Sequence, residues 1–270
     1  MNGLNKSAEA PIGVFDSGVG GLSVWKELVK LLPRESIIYF ADAKNCPYGP
    51  KQQEEIIGFS DAIVRFLLSG NCKIIVVACN TATAAAIEYL RKTYPDISFV
   101  GMEPAIKPAA LNSQTGSIGI LATAGTLKGK LFNETKSRFA SNVEVHMQVG
   151  DGLVELVEQG KAGTPEAENL LRKYIEPMME SNIDHLVLGC THYPFLADDI
   201  RKIAGNRLTI IDPAPAVAHR VKQLLEEQDI MNESTDVPRY EFYTSGNVDV
   251  LNKMLNNLQI AGYKSESIQL

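Results

Sequence analysis

The sequence predicts an α/β fold: two pseudo-symmetric α/β domains built on mainly parallel sheets. Three observations lead there. Short β-branched runs alternate with longer segments of helical period, the pattern of successive βαβ units. Several runs, such as Ile74-Ile75-Val76-Val77-Ala78, are apolar at consecutive positions, as expected of strands covered by helices on both faces. Two stretches also recur in the same order at nearly the same spacing. Ile12-Gly13-Val14-Phe15-Asp16-Ser17 returns as Ile118-Gly119-Ile120-Leu121-Ala122-Thr123, a shift of 106 residues (12 to 118). Val76-Val77-Ala78-Cys79-Asn80-Thr81 resembles Leu186-Val187-Leu188-Gly189-Cys190-Thr191, a shift of 111 (cysteine 79 to cysteine 190). Two near-equal shifts suggest two copies of one α/β unit.

Taken in order, strands are expected over residues 12–15, 36–40, 74–78, 97–100, 117–121, 143–147, 185–188, 208–211 and 241–244. Helical period is expected over 21–32, 54–68, 82–92, 128–139, 165–179 and 216–227, with a shorter helix-like stretch over 153–160. Gly101-Met102-Glu103-Pro104 reads as a crossing and Asp212-Pro213-Ala214-Pro215 as a return. The first domain is then discontinuous, 1–102 plus 214–270, and the second spans 103–213. The polar tail beyond Ala261 is expected to fray.

The 270 residues suffice for one large domain or two small ones with a sizeable core. Hydrophobic residues at 45% and charged residues at 21% exclude a disordered chain. A net charge of −6 argues against a nucleic-acid or anionic-membrane surface, because both need clustered cations. No apolar run approaches a membrane span, and the polar Met1–Ala10 stretch lacks the apolar centre of a secretory signal. A cytoplasmic location follows, and with it free thiols for Cys46, Cys72, Cys79 and Cys190. None of the four has a C-x-x-C partner or a histidine at metal-ligand spacing.

Chemistry is expected beyond the carboxyl ends of the strands, where ligands bind in such sheets. Asp16-Ser17-Gly18-Val19-Gly20-Gly21 follows the first strand and runs into a helix. A tight turn with Asp16 or Ser17 as helix cap accounts for it locally. It lacks the lysine of a P-loop and is out of register with G-x-G-x-x-G, so a nucleotide site is poorly supported. Cys79-Asn80-Thr81 follows the third strand and opens a helix, whose N-terminus stabilises a thiolate. Cys190-Thr191-His192 stands in the equivalent place of the second copy, with an imidazole two residues from the thiol. A disulfide oxidoreductase would want its sulfurs adjacent. If the halves face each other, these thiols converge from opposite walls of one cleft. That suits racemisation next to a carboxylate, which removes a proton on one face and returns one on the other.

Cys46 and Cys72 read as structural. Tyr48, in the turn-rich loop 42–49, could donate to a substrate carboxylate. Thr123 and Thr126 could supply donors or merely cap a helix. Glu158 could be no more than a solvent-exposed carboxylate. A binding protein that keeps the cleft without catalysis is a competing class, which the presence of both thiols disfavours.

Taken together, these motifs resemble the glutamate racemases of the cofactor-independent aspartate/glutamate racemase family. The resemblance rests on 15–24 (Phe15-Asp16-Ser17-Gly18 through Val24), 39–42 with Pro47-Tyr48-Gly49, Ala78-Cys79-Asn80-Thr81-Ala82, Glu103-Pro104-Ala105, Leu188-Gly189-Cys190-Thr191-His192-Tyr193-Pro194 and Asp212-Pro213-Ala214. It implies an active site in a cleft between two α/β domains and interconversion of L- and D-glutamate, supplying D-glutamate for peptidoglycan. It implies Cys79 and Cys190 as the acid–base thiols, the first serving the D-isomer and the second the L-isomer. Asp16 and His192 would assist them, with Glu158 on the His192 side. Asp16, Ser17, Tyr48, Gly49, Asn80, Thr81, Thr123, Thr126, Thr191 and His192 would line the substrate. It implies no metal, pyridoxal phosphate or nucleotide cofactor, no nucleic-acid or membrane partner, and a homodimer. The chain departs from many members at Val149-Gly150-Asp151-Gly152, where they carry a Cys-Pro pair.

Overall fold

β-Branched and aromatic runs build the strands of the chain's computed structural model, which describes residues 7–270. Met1–Lys6, part of the stretch read above as lacking a signal, lies outside the described residues. The strands are β1 (Ile12–Asp16), β2 (Ile37–Ala41), β3 (Ile74–Val77), β4 (Ser98–Gly101), β5 (Ser117–Ala122), β6 (Glu144–Val149), β7 (His185–Gly189), β8 (Thr209–Ile211), β9 (Tyr240–Thr244) and β10 (Tyr263–Ser267). They form a six-stranded sheet, β10-β9-β2-β1-β3-β4, and a four-stranded sheet, β6-β5-β7-β8. Every pairing among the described residues is parallel.

The order β2-β1-β3-β4 returns as β6-β5-β7-β8, and the register returns with it. Ile12 lies opposite Ile74 in the first sheet, and Ile118 opposite His185 in the second. Those partners differ by the shifts of 106 and 111 read from the sequence. The second shift carries on to the next strand: Ile74 pairs with Ser98, and His185 with Thr209. The sequence repeat is therefore a repeat of strand order and register.

Alternation explains the double-sided burial. On β1, β2 and β3, Val14, Tyr39 and Val76 face one apolar cluster, while Phe15, Phe40 and Val77 face another. The helix Ala214–Glu227 packs on Leu22–Leu31. Its Val217, Ala218, Val221 and Leu225 share a cluster with Leu251 and Leu255 of the helix Val248–Asn257. Two independent clusters cover the second sheet. No helix among the described residues is long and apolar enough to cross a membrane.

The tail expected to fray does not. Residues 263–267 add a parallel edge strand to β9. A backbone ladder needs no apolar pattern, which is why polar composition misled. Tyr263 seats its ring edge-on to Phe242 at 5.7 Å, Ile268 N–H donates to Thr244 O, and Gln269 Nε2 donates to Ser245 O.

One buried ion pair ties four segments. Lys73 Nζ lies 2.6 Å from Glu35 Oε2, both side chains essentially without exposure. It also donates to Ala8 O and to Ile230 O, and Glu35 Oε1 accepts Asn232 N–H. Burial pulls the lysine pKa down, and Glu35 only partly opposes it. Removing one partner strands the other charge. Lys73→Ala should therefore cost about 3–5 kcal/mol in urea unfolding, and the paired change Lys73→Met with Glu35→Leu distinctly less.

Candidate active site

The two sheets meet at the carboxyl ends of their strands. Asp16 ends β1, Cys79 lies two residues beyond the end of β3, Thr123 follows β5, and Cys190 follows β7. Several contacts cross between the halves. Thr191 Oγ1 donates to Asp16 Oδ2 at 3.3 Å, and Val19 N–H donates to Glu158 Oε1 at 2.8 Å. The hydroxyls of Thr81 and Thr123 lie 2.8 Å apart, and Ser23 Oγ donates to Thr191 O.

Cys79 caps the helix Asn80–Thr93, its sulfur accepting Ala82 N–H at 3.4 Å. Its thiol donates to Ser17 Oγ at 3.6 Å, and Ser17 Oγ reaches Asp16 Oδ1 at 3.5 Å. Asp16 is fully buried and anchors its loop by accepting Gly21 N–H at 2.7 Å. The result is a path from thiol to hydroxyl to carboxyl. On the other wall, Cys190 Sγ lies 3.7 Å from His192 Nδ1, and His192 Nε2 lies 2.6 Å from Glu158 Oε1. That path runs from thiol to imidazole to carboxylate.

Electrostatics divides the two. Burial pushes the Cys79 thiol pKa up, and the nearby Asp16 charge adds to it; Ala82 N–H and Ser17 oppose. Burial also raises Asp16, against the pull of His192 and Gly21 N–H. Burial disfavours a charged His192, but Cys190 and Glu158 more than offset this and hold its pKa well above the usual imidazole value. Burial raises Glu158 less than His192 and Val19 N–H lower it, so it stays an anion below the usual carboxylate range. On one wall burial thus disfavours ionisation of both thiol and carboxyl; on the other the imidazole and the carboxylate each favour the other's charged form.

The remaining expected residues fall around this centre. Asn80 is 3% exposed, and neither Oδ1 nor Nδ2 finds a partner among the described residues. A buried amide with unspent hydrogen-bonding capacity points to a ligand. Thr123 takes up one of the two roles foreseen for it, the helix cap. It caps the helix Ala124–Lys128 by accepting Thr126 N–H, and its hydroxyl contacts those of Thr81 and Thr126.

Tyr48 corrects its expectation. Its hydroxyl is buried and donates to Asp42 Oδ2 at 2.6 Å, so it is committed to the protein. Asp42 also accepts from Ser245 Oγ and Asn45 Nδ2, which fixes the loop carrying Gly49. Cys46, read as structural, lies against the centre: its thiol donates to Glu158 Oε1 at 3.8 Å. Nothing in the spacing of Cys46, Glu158 and His192 announced this, since three separate segments bring them together.

The glycines of the first loop also acquire a reason. A Cβ on Gly18 would collide with the Glu158 carboxylate, and one on Gly20 with the His192 ring. The loop is bare because side chains of the other half press on it, rather than because it cradles phosphate. At the departure segment, Tyr193 Oη donates to Gly150 O, and a Cβ on Gly150 would strike that hydroxyl. In this chain the tyrosine hydroxyl and the bare glycine fit each other at the base of the helix Leu153–Glu158.

A family profile described as Asp/Glu/Hydantoin racemase matches residues 12–221. A glutamate racemase of Herpetosiphon aurantiacus is 44% identical over 252 residues, covering 93% of this chain and 99% of that protein. Among solved structures, glutamate racemase isoform RacE1 of Bacillus anthracis matches with a TM-score of 0.88 and 32% identity, covering 97% and 98% of the two chains. Glutamate racemase of Francisella tularensis in complex with D-glutamate matches with a TM-score of 0.85 and 30% identity, again over 97% and 98%. The fold matches that of these racemases over nearly the whole chain. The chain belongs to the Asp/Glu/Hydantoin racemase family and is a racemase.

Gly20→Ala should displace the His192 ring and lower kcat/KM by roughly tenfold or more, since misplacements on the order of 1 Å are that costly. Steady-state kinetics alongside thermal melting checks this. The melting temperature should move much less than in Lys73→Ala.

Proposed function

We propose that the chain interconverts L- and D-glutamate, without cofactor, through two acid–base thiols. The observation that carries this reading is the pair of strand-end thiols, each with its own proton path to a carboxyl group, fully buried in Asp16 and part-buried in Glu158. The α-proton of an amino acid is a very weak acid. A site of this kind must remove it with one base, stabilise the carbanion-like charge with placed donors, and deliver a proton to the opposite face.

In this reading Cys190, as thiolate, takes the α-proton of L-glutamate while Cys79, as thiol, delivers its proton; the D-isomer uses the reverse. Asp16, through Ser17, tunes Cys79. His192, held by Glu158, exchanges the proton with Cys190. Asn80, Thr81, Thr123, Thr126 and Thr191 supply donors to the substrate, and the Tyr48-Gly49 segment contributes through its backbone. Supply of D-glutamate for peptidoglycan, a cytoplasmic location and a homodimer complete the proposal. Support comes from the relatives named glutamate racemase and from the D-glutamate complex of the Francisella protein.

Serine cannot replace a thiolate base near neutral pH, so Cys79→Ser and Cys190→Ser should each nearly abolish racemisation while remaining folded. They should differ with an analogue bearing a β-leaving group, whose elimination needs proton removal from one face only. Cys79→Ser should process only the L-analogue, and Cys190→Ser only the D-analogue. Equal handling of both enantiomers by both variants overturns the assignment.

Glu158→Gln removes the anion that holds the His192 pKa up. The limb of the kcat/KM profile that reports His192 should therefore move to lower pH, and an unmoved profile contradicts its role.

A further inference from the structure

We propose that Cys46, Glu158 and His192 form a binding site for a thiophilic divalent cation such as Zn2+, whose occupancy switches the enzyme off. The three ligand atoms, Cys46 Sγ, a Glu158 carboxylate oxygen and a His192 ring nitrogen, all lie within 4.8 Å of one another. In a tetrahedral zinc site, with metal–ligand bonds of about 2.0–2.3 Å, such atoms stand roughly 3.3–3.6 Å apart. The cluster is thus within a small side-chain adjustment of coordination. Sulfur, imidazole and carboxylate are the ligand set zinc prefers.

Access and shape agree. A cavity of about 290 Å3 opens on Cys46 and Glu158 and is lined as well by Val19, Pro47, Glu155 and Gln159. Glu155, one turn before Glu158, adds a second carboxylate that draws a cation inward. His192 is 1% exposed and is fixed from behind by Cys190. The cluster therefore combines a dry wall, a held imidazole and an entry path for an ion.

Binding is an acid–base exchange. The Cys46 thiol gives up its proton, and His192 gives up the proton on Nε2 so that its lone pair can reach the metal; both protons go to solvent. Nδ1 then keeps its proton toward Cys190 and can no longer take up another. Glu158 coordinates the cation instead of His192. The proton path behind Cys190 is cut, while the Cys79 side is untouched. Binding rests on geometry alone; the inhibition rests on the role given to His192 above.

Co2+ serves as probe, because cysteine thiolate gives it a near-ultraviolet charge-transfer band that oxygen and nitrogen ligands do not. The metal-free enzyme should bind one Co2+ per chain with that band, and Zn2+ should displace it. Zn2+ should suppress racemisation, and a chelator should restore it in full. Cys46 lies outside the catalytic path, so Cys46→Ser should racemise normally without metal. It should also lack the band and bind Zn2+ at least about tenfold more weakly, the lower end for losing even an outer partner of a metal.

A wild-type enzyme without the band, or a Cys46→Ser variant with unchanged band and affinity, overturns the site; the latter result would put the metal on Cys79 or Cys190. Band and stoichiometry as expected with undiminished racemisation overturns the switch. Failure of the glutamate reading itself would show as inactivity of the metal-free enzyme, with the cobalt band still reporting on the site.

Discussion

The carboxylate of Glu158 is the contact on which the site depends. Its Oε1 lies 2.6 Å from His192 Nε2 in its own half of the molecule and accepts Val19 N–H from the other half. One oxygen therefore engages both the imidazole, whose pKa it helps to raise, and the loop of the other half. The same oxygen explains why position 18 is a glycine. Because the group is largely buried, moving or neutralising it leaves neighbouring polar groups without partners, at a cost comparable to a lost charged hydrogen bond.

Asp16 is its counterpart on the first wall, and the two are not equivalent. Asp16 receives Thr191 Oγ1 across the cleft and Gly21 N–H from its own loop, yet burial keeps its pKa raised. His192 at hydrogen-bond distance lowers the Glu158 pKa; among the described residues Asp16 has no basic group in direct contact. The duplicated scaffold thus carries two proton paths of different character, one through a hydroxyl and one through an imidazole. A racemase needs equal access to both faces of a carbon, not equal chemistry on them. Under the two-thiol reading proposed above, the repeat would supply the first and divergence of the loops the second.

Much of this was legible in the sequence. Consecutive apolar residues such as 74–78 announced double-sided burial, and the shifts of 106 and 111 fixed matching strand registers. Cys79 and Cys190 were visible because each ends a buried strand. What escaped was of another kind. The edge strand β10 depends on backbone pairing, which leaves little trace in a polar tail. The hydroxyl of Tyr48 looked free because its acceptor, Asp42, is engaged through a loop rather than through periodicity. Cys46 looked inert because its neighbours Glu158 and His192 are distant in sequence and come together only when the two sheets face each other.

The central claim is that two thiols act on opposite faces of one carbon, and isotope labelling tests it directly. L-glutamate racemised in deuterium oxide, sampled early and separated by enantiomer, should yield D-glutamate deuterated at the α-carbon from the first turnover, because its new proton comes from a solvent-exchanged thiol. The remaining L-glutamate should still carry protium. D-glutamate that retains the original α-proton, or label appearing equally in both enantiomers from the start, would mean a single base serving both faces and would contradict the account.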